Sequence, residues 1–142
     1  MKVVINKCFG GFGLSDKAVE MVMNRKGLNC FRYKQTKFSF ESGDDEFTRC
    51  ELFNSKDLLR YYQTEDLGEK FVGEFPYDTC WNDYEIKRDD TDLIAVVEKL
   101  GEEAASGSFA ELKIVEIPDD VNWEIHEYDG LETIHEAHRS WS

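Results

Sequence analysis

Residues 1–27 read MKVVINKCFGGFGLSDKAVEMVMNRKG, and this stretch decides the fold class. The consecutive β-branched residues 3–5 are typical of a strand that is buried on both faces. An apolar face with helical spacing predicts a helix over residues 15–26, capped at its N-terminus by Ser15. Gly27 is the residue expected in the left-handed conformation just beyond that helix. The chain therefore opens with a strand and a helix joined by a glycine-rich turn.

The turn at residues 9–13 is the best candidate for a ligand site. Glycines at such a place let the backbone approach a ligand, and the amides of a helix N-terminus attract anions. The turn matches neither the dinucleotide-binding fingerprint nor the phosphate-binding loop, whose lysine is missing. It is either a tight turn that lets two phenylalanines pack or a pocket that stacks and cradles a ligand. The candidate binding residues here are Phe9, Gly10, Gly11, Phe12, Gly13 and Ser15.

A small excess of positive charge follows the first helix. Arg32 and Lys34 project to the same face if residues 29–35 form a strand, as their aromatic, alternating pattern predicts. This face is either solvated or in contact with an anion. Arg139 and Trp141, at the C-terminal end, are also candidate binding residues because arginine and tryptophan are enriched in binding hot spots.

The second half of the chain predicts one more main helix and several strands. The apolar period predicts a helix over residues 90–105, which the acidic cluster 89–92 caps and Gly101 weakens. Residues 110–117 and 122–128 predict strands, and Asp129-Gly130 predicts a hairpin turn. The following segment, 131–138, fits either a returning strand or a short helix.

These elements predict an α+β fold in one domain of 142 residues. Two main helices, at about 15–26 and 90–105, would pack on a mixed or antiparallel sheet that joins the first strand to the terminal strands. Residues 42–89 predict a variable, loop-rich region, with a short helix that starts at residues 55–57 and runs through Tyr62.

Composition excludes several classes of function. The net charge of −13 disfavours direct nucleic-acid binding, because the 30 acidic side chains outnumber the 17 basic ones. No run approaches the roughly 18 apolar residues that span a bilayer, and the apolar run after Lys2 is too short for a secretory signal. The four cysteines contain no C-x-x-C pair. We expect a cytoplasmic protein without metal, cofactor or membrane partner.

All three histidines lie near the C-terminus among carboxylates. Such a cluster of His126, His135 and His138 invites a metal or acid–base hypothesis. Their spacing lacks the H-E-x-x-H context, and no serine or cysteine is visibly paired with them as a nucleophile. We therefore predict no catalytic residue and expect these histidines to bond across the hairpin.

Three segments resemble a group of small, mostly uncharacterised proteins of tailed bacteriophages. They are VVIN followed by FGGFGLS within residues 3–15, ELKIVEIPDD at 111–120, and the ending from YDG at 128–130 to HRSW at 138–141. The helix expected over residues 90–103 fits the same group. The resemblance covers about half of the chain, and region 28–88 lies outside it. It implies a setting, a phage protein acting in the cytosol of an infected bacterium, without implying an activity.

In that setting we expect an accessory protein with a role in counter-defence. The first hypothesis is a homo-oligomeric protein that binds and sequesters a nucleotide-derived immune signal without cleaving it. The second is an inhibitor that binds a host defence protein, through an acidic surface that resembles DNA. The third is a nucleotide-processing enzyme that uses the histidine and carboxylate hairpin.

Overall fold

The computed structural model describes residues 1–37, 45–54, 57, 59–83 and 85–136. It confirms the α+β class, with mostly antiparallel sheets and three α-helices within that part of the chain. The chain divides into two compact units. Unit 1 comprises Met1–Val22 and Asp83–Ser142, and unit 2 comprises Met23–Asn82.

The described residues form strands and α-helices that we number along the chain. In order they are β1 (Lys2–Asn6), α1 (Asp16–Arg25), β2 (Phe31–Lys37), β3 (Glu46–Cys50), β4 (Arg60–Gln63), β5 (Lys70–Val72), β6 (Cys80–Trp81), α2 (Thr91–Leu100), α3 (Glu102–Ala105), β7 (Leu112–Glu116), β8 (Trp123–Tyr128) and β9 (Leu131–Glu136).

β1 is the inner strand of unit 1, and its apolar residues are fully buried as predicted. One edge pairs antiparallel with β7 over the whole strand. On the other edge, the Val4 amide donates to the carbonyl oxygen of Arg88 at 2.8 Å, and the Asn6 amide donates to Glu132 Oε1 at 2.9 Å. A loop carbonyl and a buried carboxylate thus replace a second strand, which satisfies backbone groups that water cannot reach.

β7 also has side-chain partners on its backbone. The Leu112 amide donates to Ser106 Oγ at 2.9 Å, and the Ile114 amide donates to Glu102 Oε2 at 2.7 Å. Glu102 is the first residue of α3, and Ser106 is the residue that follows this helix.

The first main helix forms where the sequence predicts it, and the second predicted helix is divided in two. Ser15 Oγ accepts from the Ala18 amide at 3.2 Å, and Gly27, at φ +78°, follows α1. Asp90 caps α2 by accepting from the amides of Asp92 and Leu93. Gly101, at φ +92°, separates α2 from α3, so the helix predicted over residues 90–105 is two helices.

The C-terminal hairpin confirms the predicted turn. Asp129 and Gly130 both have positive φ, 50° and 90°, as a two-residue hairpin turn requires. Residues 131–136 are strand β9, which resolves the choice between strand and helix for that part of the segment. β8 and β9 pair only with each other in a separate sheet, so the expected sheet joins β1 to β7 but not to them.

Unit 2 is built on a five-stranded antiparallel sheet in the order β5-β3-β2-β4-β6. Tyr33, Phe47 and Phe75 form its buried aromatic core. The short helix predicted through Tyr62 is wrong at residues 60–63, which form β4. Residues 55, 56 and 58 of its predicted start lie outside the described residues. Tyr61 enters the core on one face while Tyr62 projects to the other, and this period of two is that of a strand.

Candidate functional site

Other backbone segments of unit 1 pack directly against the glycine-rich turn at residues 9–13. A Cβ on Gly10 would lie 1.8 Å from the carbonyl oxygen of Phe109. A Cβ on Gly130 would lie 2.5 Å from the Gly11 nitrogen and 2.7 Å from the Phe9 oxygen. Glycines are needed here because three backbone segments meet at distances that leave no room for a side chain. A tight turn accounts for these contacts, but of the two phenylalanines expected to pack, Phe9 is 62% exposed. The role of residues 9–13 in ligand binding stays a prediction.

The start of α1 is likewise occupied by unit 1. The Leu14 amide donates to Asp83 Oδ2 at 2.9 Å, and the Ser15 amide donates to the Ala105 carbonyl oxygen at 2.9 Å. Ser15 Oγ donates to the carbonyl oxygen of Ala104 at 2.8 Å and accepts from the amide of Ala18. The amides of Leu14 and Ser15 therefore already have acceptors within the chain, and an anion would have to displace those acceptors.

A buried polar network lies against the turn. Asn6 donates through Nδ2 to the carbonyl oxygens of Cys8 and Gly130, at 2.8 and 2.7 Å. Arg88 Nη2 lies 2.9 Å from Glu132 Oε2, and its guanidinium carbon lies 3.5 Å from the centroid of the Phe12 ring. Phe12 therefore stacks on an arginine of its own chain, and the network fixes the turn to β1 and β9.

Asp83 is the carboxylate of this region with a displaced pKa. Burial raises the pKa of Asp83, while the hydrogen bond from Leu14 and the positive charge of Arg88 oppose that rise. A pKa above the unfolded value means that the native state holds the proton more tightly. The contribution of Asp83 to stability is fully present below its unfolded pKa, about 3.9, and is lost as pH rises through its folded pKa.

Asp83→Asn is expected to remove this loss of stability. Asparagine keeps an oxygen that accepts from the Leu14 amide but does not ionise. The free energy of unfolding of the wild type should fall, relative to that of the variant, as pH rises from about 4 through the folded pKa. Urea unfolding at a series of pH values measures this difference. Identical pH dependence in the two proteins would contradict the assignment to Asp83.

The second candidate site lies on one face of the unit 2 sheet and contains two of the predicted residues. Lys34 on β2 pairs directly with Arg60 on β4. One step along the sheet, Arg32 pairs with Tyr62, which pairs in turn with Trp81 on β6. Directly paired residues share a face, so these side chains form one surface that we call the basic–aromatic face. It is opposite the face that carries the aromatic core.

The segment after β3 borders the basic–aromatic face. Arg32 Nη1 donates to the Glu51 carbonyl oxygen at 2.8 Å, and Arg60 Nε donates to the Asp57 carbonyl oxygen at 2.8 Å. Arg60 also lies 5.6 Å from the centroid of the Phe53 ring. Backbone carbonyls and an aromatic ring thus hold the guanidinium groups in defined positions. Lys34 Nζ lies 4.0 Å from a carboxylate oxygen of Asp57.

The histidines of the hairpin contact each other on its exposed surface. The rings of His126 and His135 stack with their centroids 4.2 Å apart. His126 Nε2 is 2.7 Å from Glu124 Oε1, and His135 Nε2 is 2.9 Å from Thr133 Oγ1. His138 lies outside the described residues. Within the part of the chain that the structure describes, no group of three or more His, Cys, Asp or Glu side chains is arranged to hold a metal ion.

The predicted binding residues fall into three places. Phe9, Gly10, Gly11, Phe12, Gly13 and Ser15 belong to unit 1, Arg32 and Lys34 belong to unit 2, and Arg139 and Trp141 lie outside the described residues. The predicted binding residues do not include Arg60, Tyr62 and Trp81, which strand pairing brings beside Arg32 and Lys34. Residues 60–63 read RYYQ and lack the alternation of apolar and polar side chains that is typical of a strand, so the local sequence does not indicate β4.

Comparison of the chain with protein-family models, curated proteins and solved structures finds no match. Among the described residues, no helix is both long and apolar enough to cross a membrane.

Proposed function

We propose that this protein sequesters an anionic ligand that carries an aromatic ring, of the kind found among nucleotide-derived immune signals. The proposal rests on the basic–aromatic face, where Lys34 and Arg60 are directly paired beside the row of Arg32, Tyr62 and Trp81. The setting is the cytosol of an infected bacterium, in which a phage accessory protein would remove the signal by binding it, as a homo-oligomer.

The chemistry of the face matches the two parts of such a ligand. Guanidinium groups bind phosphate through paired, charge-assisted hydrogen bonds, and an ammonium adds a point charge. Stacking of a base on an aromatic side chain contributes about 1–3 kcal/mol. Arg32 is only 7% exposed, so the phosphate contact is assigned to Arg60 with Lys34. The carbonyl oxygen that now accepts from Arg60 is neutral, so a phosphate oxygen would be a stronger acceptor at the same donor. These groups supply binding contacts, and we accordingly propose sequestration without cleavage.

The test is calorimetry against cyclic dinucleotides, cyclic oligonucleotides and cyclic ADP-ribose-type molecules. We expect one class to bind, and Arg60→Ala and Trp81→Ala each to weaken its affinity by roughly tenfold or more, because they remove a phosphate contact and a stacking contact. Lys87→Ala, which removes an exposed cation of unit 1, is the matched control and should bind as the wild type does.

Two results would contradict the proposal. One is an absence of binding heat for every molecule in the panel. The other is an equal loss of affinity in Lys87→Ala and Arg60→Ala, which would indicate attraction by overall charge alone. Native mass spectrometry of protein from infected cells adds the assembly state and the mass of any retained ligand.

A further inference from the structure

Three large aromatic side chains of unit 1 are exposed around the glycine-rich turn. Phe9, Phe109 and Tyr128 are 62%, 74% and 77% exposed, although rings of this size are usually at least partly buried. We call these three residues the aromatic surface. None of them belongs to the basic–aromatic face, so a different task has to account for their exposure.

The segments that carry the three rings are in contact with one another. Cys8 Sγ donates to the Phe109 carbonyl oxygen at 3.0 Å, which ties the segment before Phe9 to the segment of Phe109. The Cβ position of Gly130, two residues after Tyr128, is 2.7 Å from the Phe9 carbonyl oxygen. Beneath them, the side-chain amide of Asn6 joins the carbonyl oxygens of Cys8 and Gly130. The backbone under the aromatic surface is therefore preorganised, which lowers the entropic cost of binding.

Unit 1 carries nearly all of the protein's net negative charge. It contains 19 acidic and 8 basic side chains, whereas unit 2 contains 11 and 9. Unit 1 thus contributes −11 of the net charge of −13. Within two residues of the three rings, the sequence places three exposed carboxylates, Glu111, Glu127 and Asp129, and one exposed cation, Lys7. An aromatic centre within an acidic field is complementary to a surface rich in lysine and arginine.

We infer that the aromatic surface docks onto the basic surface of another protein, of the kind that binds nucleic acid. Rings on a rigid base supply the buried anchors, and the surrounding carboxylates steer the approach and pair with basic side chains at the rim. Nucleic acid does not fit this site, because phosphates would face the net negative charge of unit 1. A second copy of the chain fits poorly, because its own aromatic surface is acidic as well.

The experiment uses the full chain as bait in a bacterial lysate. Retained proteins are identified by mass spectrometry, purified and titrated by calorimetry against the wild type and the double variant Phe109→Ala, Tyr128→Ala. Both replaced rings are exposed, so the double variant should fold normally. Leu52→Ala, which removes an equally exposed apolar side chain of unit 2, is the matched control.

We expect a partner with a basic surface whose affinity falls roughly tenfold or more in the double variant and is unchanged in Leu52→Ala. Duplex DNA should compete for the same partner surface, and added salt should slow the association. Arg60→Ala should leave this interaction intact, which separates its failure from that of the proposed ligand binding.

Three outcomes would overturn the inference. The first is that no purified partner binds the wild type. The second is a partner that binds the double variant as tightly as the wild type. The third is self-association through the aromatic surface, seen in sedimentation as a concentration-dependent mass that the double variant lacks.

Discussion

Glu132→Ala is expected to lower the free energy of unfolding by about 3–5 kcal/mol. Glu132 is 4% exposed, lies 2.9 Å from Arg88 Nη2 and accepts the Asn6 amide at 2.9 Å. Its removal takes the hydrogen-bonded carboxylate away from the largely buried guanidinium of Arg88 and leaves the buried Asn6 amide without an acceptor. Both losses add to the cavity that the truncated side chain leaves.

Urea unfolding at neutral pH measures this effect, with Glu136→Ala as the control on the same strand. Glu136 is exposed, so its replacement should change the free energy of unfolding by no more than about 0.5 kcal/mol. Glu132→Gln separates charge from hydrogen bonding, because glutamine can still accept from Asn6 but cannot neutralise Arg88. A loss below about 1 kcal/mol in Glu132→Ala would show that the network does not hold unit 1 together.

Gly130→Ala is expected to lower the free energy of unfolding by about 3 kcal/mol or more. Gly130 has φ +90°, and an added Cβ would lie 2.5 Å from the Gly11 nitrogen. Alanine therefore adds backbone strain to a collision with the backbone of residues 9–11, which follows Cys8, a hydrogen-bond partner of Asn6. Neither partner can yield without separating the hairpin from the glycine-rich turn.

Gly27→Ala is the matched control for backbone strain. Gly27 has a similar φ of +78° but no atom within 4 Å of the added Cβ. Strain alone should cost about 1–2 kcal/mol there. The difference between the two variants in thermal or urea unfolding reports the collision at Gly130. Equal losses would mean that the hairpin and the turn are not in close contact.

Local signals made the first strand and both main helices predictable from the sequence. Buried β-branched residues, Ser15 and Asp90 as caps, and Gly27 all act within one or two turns of the residues they affect. β4 escaped prediction because the polar residues before it resemble a helix start. Its strand conformation depends on pairing with β2, about thirty residues away in sequence, and no local sequence pattern indicates this pairing.

The same distinction applies to the candidate sites. Arg32 and Lys34 share a face because they lie two residues apart on a strand, and the sequence shows this directly. Arg60 and Tyr62 join them only through strand register. Glu132 reaches Asn6 across 126 positions, so its role in the network had no signature in either neighbourhood. Likewise, the close approach of Phe109 explains why a glycine is needed at position 10, and the spacing of the glycines in the sequence does not indicate this contact.

The side-chain acceptors on β7 have a consequence beyond unit 1 itself. A strand at the border of a small sheet normally offers its unpaired amides to any extended chain that approaches, and this is a common route to aggregation. Here the Leu112 amide already donates to Ser106, and the Ile114 amide donates to Glu102. The carboxylate of Glu102 also places a negative charge at this edge. An incoming strand would have to displace both acceptors before it could add to the sheet. At these positions the edge of β7 resists fibrillar association, although Phe9, Phe109 and Tyr128 of the same unit remain exposed.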